Sequence, residues 1–125
     1  MSRKDVEALK QRALDFLHAV EDDLKSGMYE LAAFHCEQAV QLALKYVLAV
    51  ELGHYPHTRN LRELFEEVKQ VKPNLWLLYE KHKYAVEVMN DAYISARYLP
   101  RTYGEDVVKG LYEVATVVLN EVGIR

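Results

Sequence analysis

The chain has a single cysteine, Cys36, among its 125 residues. One thiol cannot close an internal disulfide, so a reducing, intracellular setting fits best. Long apolar runs are also missing. None approaches 18 uncharged apolar residues, and the opening "MSRKDVEALK" has no apolar signal core, which points away from secretion and from a membrane span. A cytoplasmic location is expected. There is no Gly-rich phosphate loop, no GxSxG elbow and no HExxH pair, so the best-marked phosphate-binding, hydrolase and zinc-protease chemistries have no signature here. No strand-like alternation, internal repeat or low-complexity segment appears. Basic charge is in short supply too: 16 Lys and Arg against 19 Asp and Glu give a net charge of -3. That balance argues against a uniformly basic nucleic-acid binder and leaves room for a local basic patch.

What is present is helical periodicity. Half the residues are hydrophobic and 28% are charged, an ordinary globular balance, and the length predicts one domain over 1–125. Val6, Leu9, Ala13, Phe16, Val20 and Leu24 advance by threes and fours and mark a first helix. Ser2 and Asp5 form a capping-box pattern before it, and Ser26-Gly27 breaks it. "YELAAFHCEQAVQLALKYVLAVEL", about 29–52, is apolar on more than one side and predicts a helix touching two partners. "GHYPHTR" punctuates the chain. Asn60 and Glu63 then start a helix carrying Leu61, Leu64, Phe65, Val68 and Val71. Pro73-Asn74 opens a segment to about Ala96, continuous unless the polar "EKHK" divides it. Pro100 ends that segment, because the residue before a proline is pushed out of the helical region. A last helix runs from about Gly104 to Val122. The expected fold is an all-α bundle of about five helices.

Few clusters suggest chemistry. His54 and His57 have HxxH spacing in a loop and His35-Cys36 lies on the second helix, but no second ligand pair accompanies them, so no metal or cofactor is expected. Lys81, His82 and Lys83 read as a solvated face. Glu37-Gln38 must find hydrogen-bond partners if they face the core, and the sequence favours placing them outward. The densest stretch is "AYISARYLPRTYGED", residues 92–106. Arg97 near a helix C-terminus suits the helix dipole. Tyr93, Tyr98 and Tyr103 fit either amphipathic rim residues or a ligand surface.

"YELAAFHCEQAVQLALKYVLA", "GHYPHTRNLRELF" and "DAYISARYLPRTY", in this order and spacing, resemble the HEPN family of small helical domains (higher eukaryote and prokaryote nucleotide-binding). The likeness is to stand-alone prokaryotic members, often encoded beside a minimal nucleotidyltransferase in a toxin-antitoxin-type pair. It implies an up-and-down helical bundle that forms a homodimer, with a polar site near the dimer seam, at the end of the penultimate helix and the start of the last. It also implies a nucleotide, an RNA or the nucleotidyltransferase as partner. Arg97, Arg101, Tyr103, Tyr98 and Tyr93 are the candidate ligand-binding residues.

Many members are metal-independent ribonucleases with an arginine followed, after four to six residues, by histidine. Arginine holds the scissile phosphate, and histidine moves the proton. Here Arg97 is followed by Tyr98, Leu99, Pro100, Arg101, Thr102, Tyr103 and Gly104, with no histidine. A tyrosine is a poor replacement, since about one in a thousand is ionised at pH 7. The departure points away from an enzyme, unless His57 or His82 is recruited as the base; the remaining alternative is a purely structural protein-interaction module with the tyrosines as a docking rim. In toxin members a tyrosine two residues after the histidine accepts adenylate. Thr102 fills the histidine slot here and Tyr103 falls one position early for the acceptor.

Overall fold

Ser2 Oγ accepts a hydrogen bond from the Asp5 backbone N–H (3.1 Å), and Asp5 Oδ2 accepts one from Ser2 N–H (3.3 Å). This closed capping box starts α1, Arg3–Lys25. The structure, a computed structural model, describes residues 1–98 and 102–124, with the backbone alone at Ala96 and Arg97. Helix α1 stops where Gly27 takes a left-handed φ of 71°. Gly27 N–H donates to Leu24 O (3.2 Å) and Met28 N–H to Asp23 O (2.9 Å). Those two bonds are the paired closure of a Schellman cap, and they satisfy carbonyls that the helix end would otherwise leave open.

The chain then turns into α2, Tyr29–Leu52, which ends at Gly53 in the left-handed region. α3, Leu61–Val68, begins with Asn60 Oδ1 accepting from Glu63 N–H at 3.1 Å. Next come α4, Pro73–Lys81, and α5, Lys83–Tyr98. The last helix is α6, Glu105–Val122. The described residues contain six helices and no strand, so the all-α expectation holds with one more helix than expected. The extra helix comes from "EKHK". His82 leaves helical geometry at φ -117° and ψ 28° while its N–H still bonds to Leu78 O. The break lets α4 lie on α3 and α6 while α5 lies along α2. Leu99, Pro100 and Arg101 fall outside the described residues, and with them the stop assigned to Pro100.

Helix α2 is the axis of the packing. Ala32, Ala33, Ala39, Val40, Ala43 and Leu44 are all fully buried, and α1, α3, α5 and α6 all touch the helix. Small side chains let neighbouring backbones come close, which is how one helix accommodates four neighbours. Most of its broad apolar surface is therefore covered within the chain, by more partners than the two expected, while Val50 and Leu52 near its end stay exposed. Phe65 of α3 meets Tyr79 of α4 with ring centroids 5.3 Å apart, and Trp76 extends that stack. On the rim, Tyr29 donates to Glu105 (3.3 Å) and Tyr112 to Glu21 (3.0 Å), tying α6 to α2 and α1. Among the described residues no helix is long and apolar enough to cross a membrane.

Two glycines test the backbone argument with opposite signs. A Cβ at Gly27 or Gly110 meets nothing within 4 Å, but only Gly27 has positive φ. Gly27→Ala should lower unfolding free energy by about 1–2 kcal/mol, the cost of a left-handed non-glycine residue. Gly110→Ala, inside α6, should raise it by about 0.5–1 kcal/mol. Urea denaturation of both variants checks this, and shifts of the same sign would contradict it.

Candidate functional site

A carboxyl group sits in the middle of the most apolar helix. Glu37 is fully buried, and it lies on the same stripe of α2 as Ala33, Val40, Gln41 and Leu44. It satisfies itself locally. Gln38 Nε2 donates to Glu37 Oε1 (2.7 Å) and Gln41 Nε2 donates to Glu37 Oε2 (2.8 Å). The ladder continues outward, with Lys45 Nζ donating to Gln41 Oε1 at 3.1 Å. The expectation that Glu37 and Gln38 point into solvent is thus overturned for Glu37. Gln38 is half-buried and Gln41 is buried. Glu37 is inward because it shares the covered stripe of α2 with Ala33, Val40 and Leu44.

Burial pushes the Glu37 carboxyl up to about 7, against the pull of the Gln38 and Gln41 amides and then of the Lys45 and Arg59 charges. Removing a carboxylate from water favours its neutral form, and nearby cations and donors only partly restore the charged one. Lys45 shifts the other way: burial lowers it first, and the charge of Arg59 lowers it further, against Glu37. At neutral pH the cluster therefore holds two cations beside a carboxyl that is about half ionised.

The loop between α2 and α3 brings Arg59 to this cluster. It is pinned at several points. Thr58 Oγ1 accepts from Asn60 N–H (3.1 Å) and donates to Glu63 (2.6 Å), while Asn90 Oδ1 of α5 accepts from Leu61 N–H (2.9 Å). Arg59 then reaches α5, where Nη1 donates to the Tyr93 hydroxyl at 2.6 Å and the guanidinium carbon lies 4.5 Å from the ring centroid. Tyr93 in turn meets Phe34 of α2 with ring centroids 5.9 Å apart. Lys45 lies over the Tyr55 ring at 5.4 Å. A groove of about 270 Å³ opens between loop and helix, lined by Thr58, Arg59, Asn60, Asn90, Tyr93 and Ile94.

The candidates from the sequence separate in space. Tyr93 is half-buried within the cluster. Tyr98, at the end of α5, is exposed (71%). Tyr103 is buried, with its hydroxyl 2.7 Å from Ser95 Oγ, so it is turned into the core beneath α5. The side chain of Arg97 and all of Arg101 lie outside the described residues. The backbone places Arg97 four residues beyond Tyr93 in the same helix, one turn further along α5. His57 is exposed two residues before Arg59, and His82 is half-buried at the end of α4. Their separations from the Arg97 side chain also lie outside the described residues.

Sequence reasoning singled out Glu37 but favoured the outward placement, and it missed Gln41, Lys45 and Arg59. The α2 residues carried a signal, a polar ladder at spacings of four inside an apolar stripe. Arg59 carried none, since it meets Tyr93 across 34 positions. Elsewhere, His35 Nδ1 pairs with Asp23 at 2.5 Å across the α1–α2 turn. Among the described residues, no three His, Cys, Asp or Glu side chains are placed to hold a metal ion.

The HEPN domain family model matches residues 6–125, a match that carries a nucleotide- or RNA-related or interaction role in general terms. No curated protein matches the chain.

Glu37 makes stability depend on pH in a definite direction. Its folded-state affinity for a proton is raised, from 4.5 to about 7. The folded chain therefore binds more protons than the unfolded one between those values. The contribution is full below pH 4.5 and is lost as pH rises towards 7, a change on the order of 3 kcal/mol. Glu37→Gln should flatten that part of the profile. Urea melts of both proteins from pH 4 to 8 check it, and profiles with equal slopes would contradict it.

Proposed function

The chain belongs to the HEPN domain family, and from that premise we propose that it is a non-catalytic binding member that engages the phosphate of a nucleotide or a nucleotidyltransferase partner. The observation that carries this reading is the cationic-aromatic cluster of Lys45, Arg59 and Tyr93, one turn before Arg97 on α5. Phosphate recognition needs fixed guanidinium groups and little else from the protein. In this reading Arg97 and Arg101 contact phosphate, and Tyr98 supplies an exposed aromatic face. Tyr103 serves as an adenylate acceptor only if its hydroxyl first leaves Ser95. The protein works in the cytoplasm of a prokaryote as a homodimer. It pairs with a minimal nucleotidyltransferase in a toxin-antitoxin-type system. Exposed Tyr84, Ile94 and Tyr98 on α5 offer apolar surface for such a contact.

A second reading, a metal-independent ribonuclease, draws support from Glu37. A carboxyl that titrates near neutrality suits general acid-base work, although both of its oxygens already accept amide N–H groups.

Calorimetry with ATP, ADP and a short RNA, together with pull-down by a co-expressed nucleotidyltransferase, tests the first reading. Arg97→Ala should weaken phosphate-ligand binding by about tenfold or more, the worth of one charge-assisted contact. Failure of all of these to bind, or indifference to Arg97→Ala, would sink the proposal. Metal-free RNA cleavage that disappears in Arg97→Ala would establish the ribonuclease instead.

A further inference from the structure

The groove between the α2–α3 loop and α5 has a charge and a shape that the family's arginine motif does not account for. All of its lining residues, Thr58, Arg59, Asn60, Asn90, Tyr93 and Ile94, lack a carboxylate. Among the described residues no Asp or Glu lies within ion-pair distance of Arg59. Yet Arg59 is not a loose surface side chain. Its Nη1 is bonded to Tyr93 and its guanidinium carbon lies 4.5 Å from the centroid of that ring, while Asn90 and Glu63 fasten the loop on either side of it. Holding the guanidinium in place through one N–H leaves the rest of its donor fork for another acceptor.

Charge points the same way. Behind Arg59, Lys45 has the neutral Gln41 amide as its hydrogen-bond acceptor. The nearby Glu37 is enclosed by two amides and offers neither cation a direct ion pair. Two cations near each other without a full counter-charge create a positive potential at the groove, which an anion relieves.

We propose that this groove seats a phosphate group, with Arg59 gripping it through its free N–H groups and Tyr93 fixing the guanidinium in position. Arg59 is then a second phosphate contact, held from the α2–α3 loop against Tyr93, which lies one helical turn before Arg97 on α5, and the ligand lies along α5 instead of only capping its end. The proposal rests on the reading above, that the protein binds a phosphate-bearing ligand. The alternative role for Arg59 is a strut that merely holds the loop to α5, and that role predicts lost stability without lost affinity.

Titration calorimetry of the full chain with ADP and with a short oligoribonucleotide separates these roles when thermal melts accompany it. Arg59→Ala should weaken binding of at least one probe by about tenfold, the loss expected for a charge-assisted hydrogen bond. Arg59→Lys, which keeps the charge and loses the fork, should fall between wild type and Arg59→Ala. Tyr93→Phe should weaken binding by less than Arg59→Ala. A loss confined to ADP identifies a free nucleotide as the source of the phosphate, and a loss confined to RNA identifies a strand. Wild-type affinity in a folded Arg59→Ala variant overturns the proposal, whatever its melting temperature. If that variant binds normally while Arg97→Ala does not, only this inference fails. If the wild type binds neither probe, the functional reading fails and this inference with it.

Discussion

Along most of its length α2 buries the greater part of its circumference and leaves one partly exposed stripe through His35, Gln38 and Lys45, and the arrangement of the other helices follows from that constraint. α1, α3, α5 and α6 cover it directly, while α4 packs on three of those four. Fully buried alanines at 32, 33, 39 and 43 make the coverage close. Cores at this density respond to changes of a single methylene, so enlarging these alanines would force the surrounding helices apart. The broken helix at His82 belongs to the same requirement. With the break, α4 packs on α3 and α6 without touching α2, while α5 follows α2.

Into this dry axis the sequence places Glu37. Burying a carboxyl is tolerable when its oxygens are bonded and its charge is suppressed, and both conditions are met here by neighbours on the same helix. The consequence reaches the surface. Because Glu37 is only about half ionised at neutral pH, it does not fully cancel Lys45 and Arg59. The core thus sets the charge of the groove beside α5. Packing of α2 and recognition of an anion are, on this account, two results of one burial.

Most of the helices could be read from the sequence because their signals are local. Ser2 with Asp5, Ser26 with Gly27, and Asn60 with Glu63 mark caps that depend on residues within a few positions, and all three form as the spacing predicts. The division at His82 was visible only as an alternative, since apolar spacing is much the same for a straight helix and a bent pair, and tertiary packing decides. The site was less legible. Tyr93 was singled out, but its partner Arg59 lies on a loop whose destination no local pattern encodes. Glu37 was placed outward although Ala33, Val40 and Leu44 flank it on one stripe. Glutamate is so commonly exposed that the composition prior outweighed the pattern. Tyr103 could be read as a rim residue because tyrosine suits either environment, and its bond to Ser95 needs α5 and the start of α6 in register.

The central claim is that α2 holds a carboxyl whose charge is about half suppressed at neutral pH beside two cations it only partly cancels. The most direct test is a carbon-detected NMR titration of the Glu37 side-chain carboxyl in the intact protein. A midpoint near 7 is predicted. A midpoint in the ordinary glutamate range, about 4.3, would mean a fully charged Glu37 at neutral pH and a cluster with much less unbalanced positive charge, and it would contradict the account.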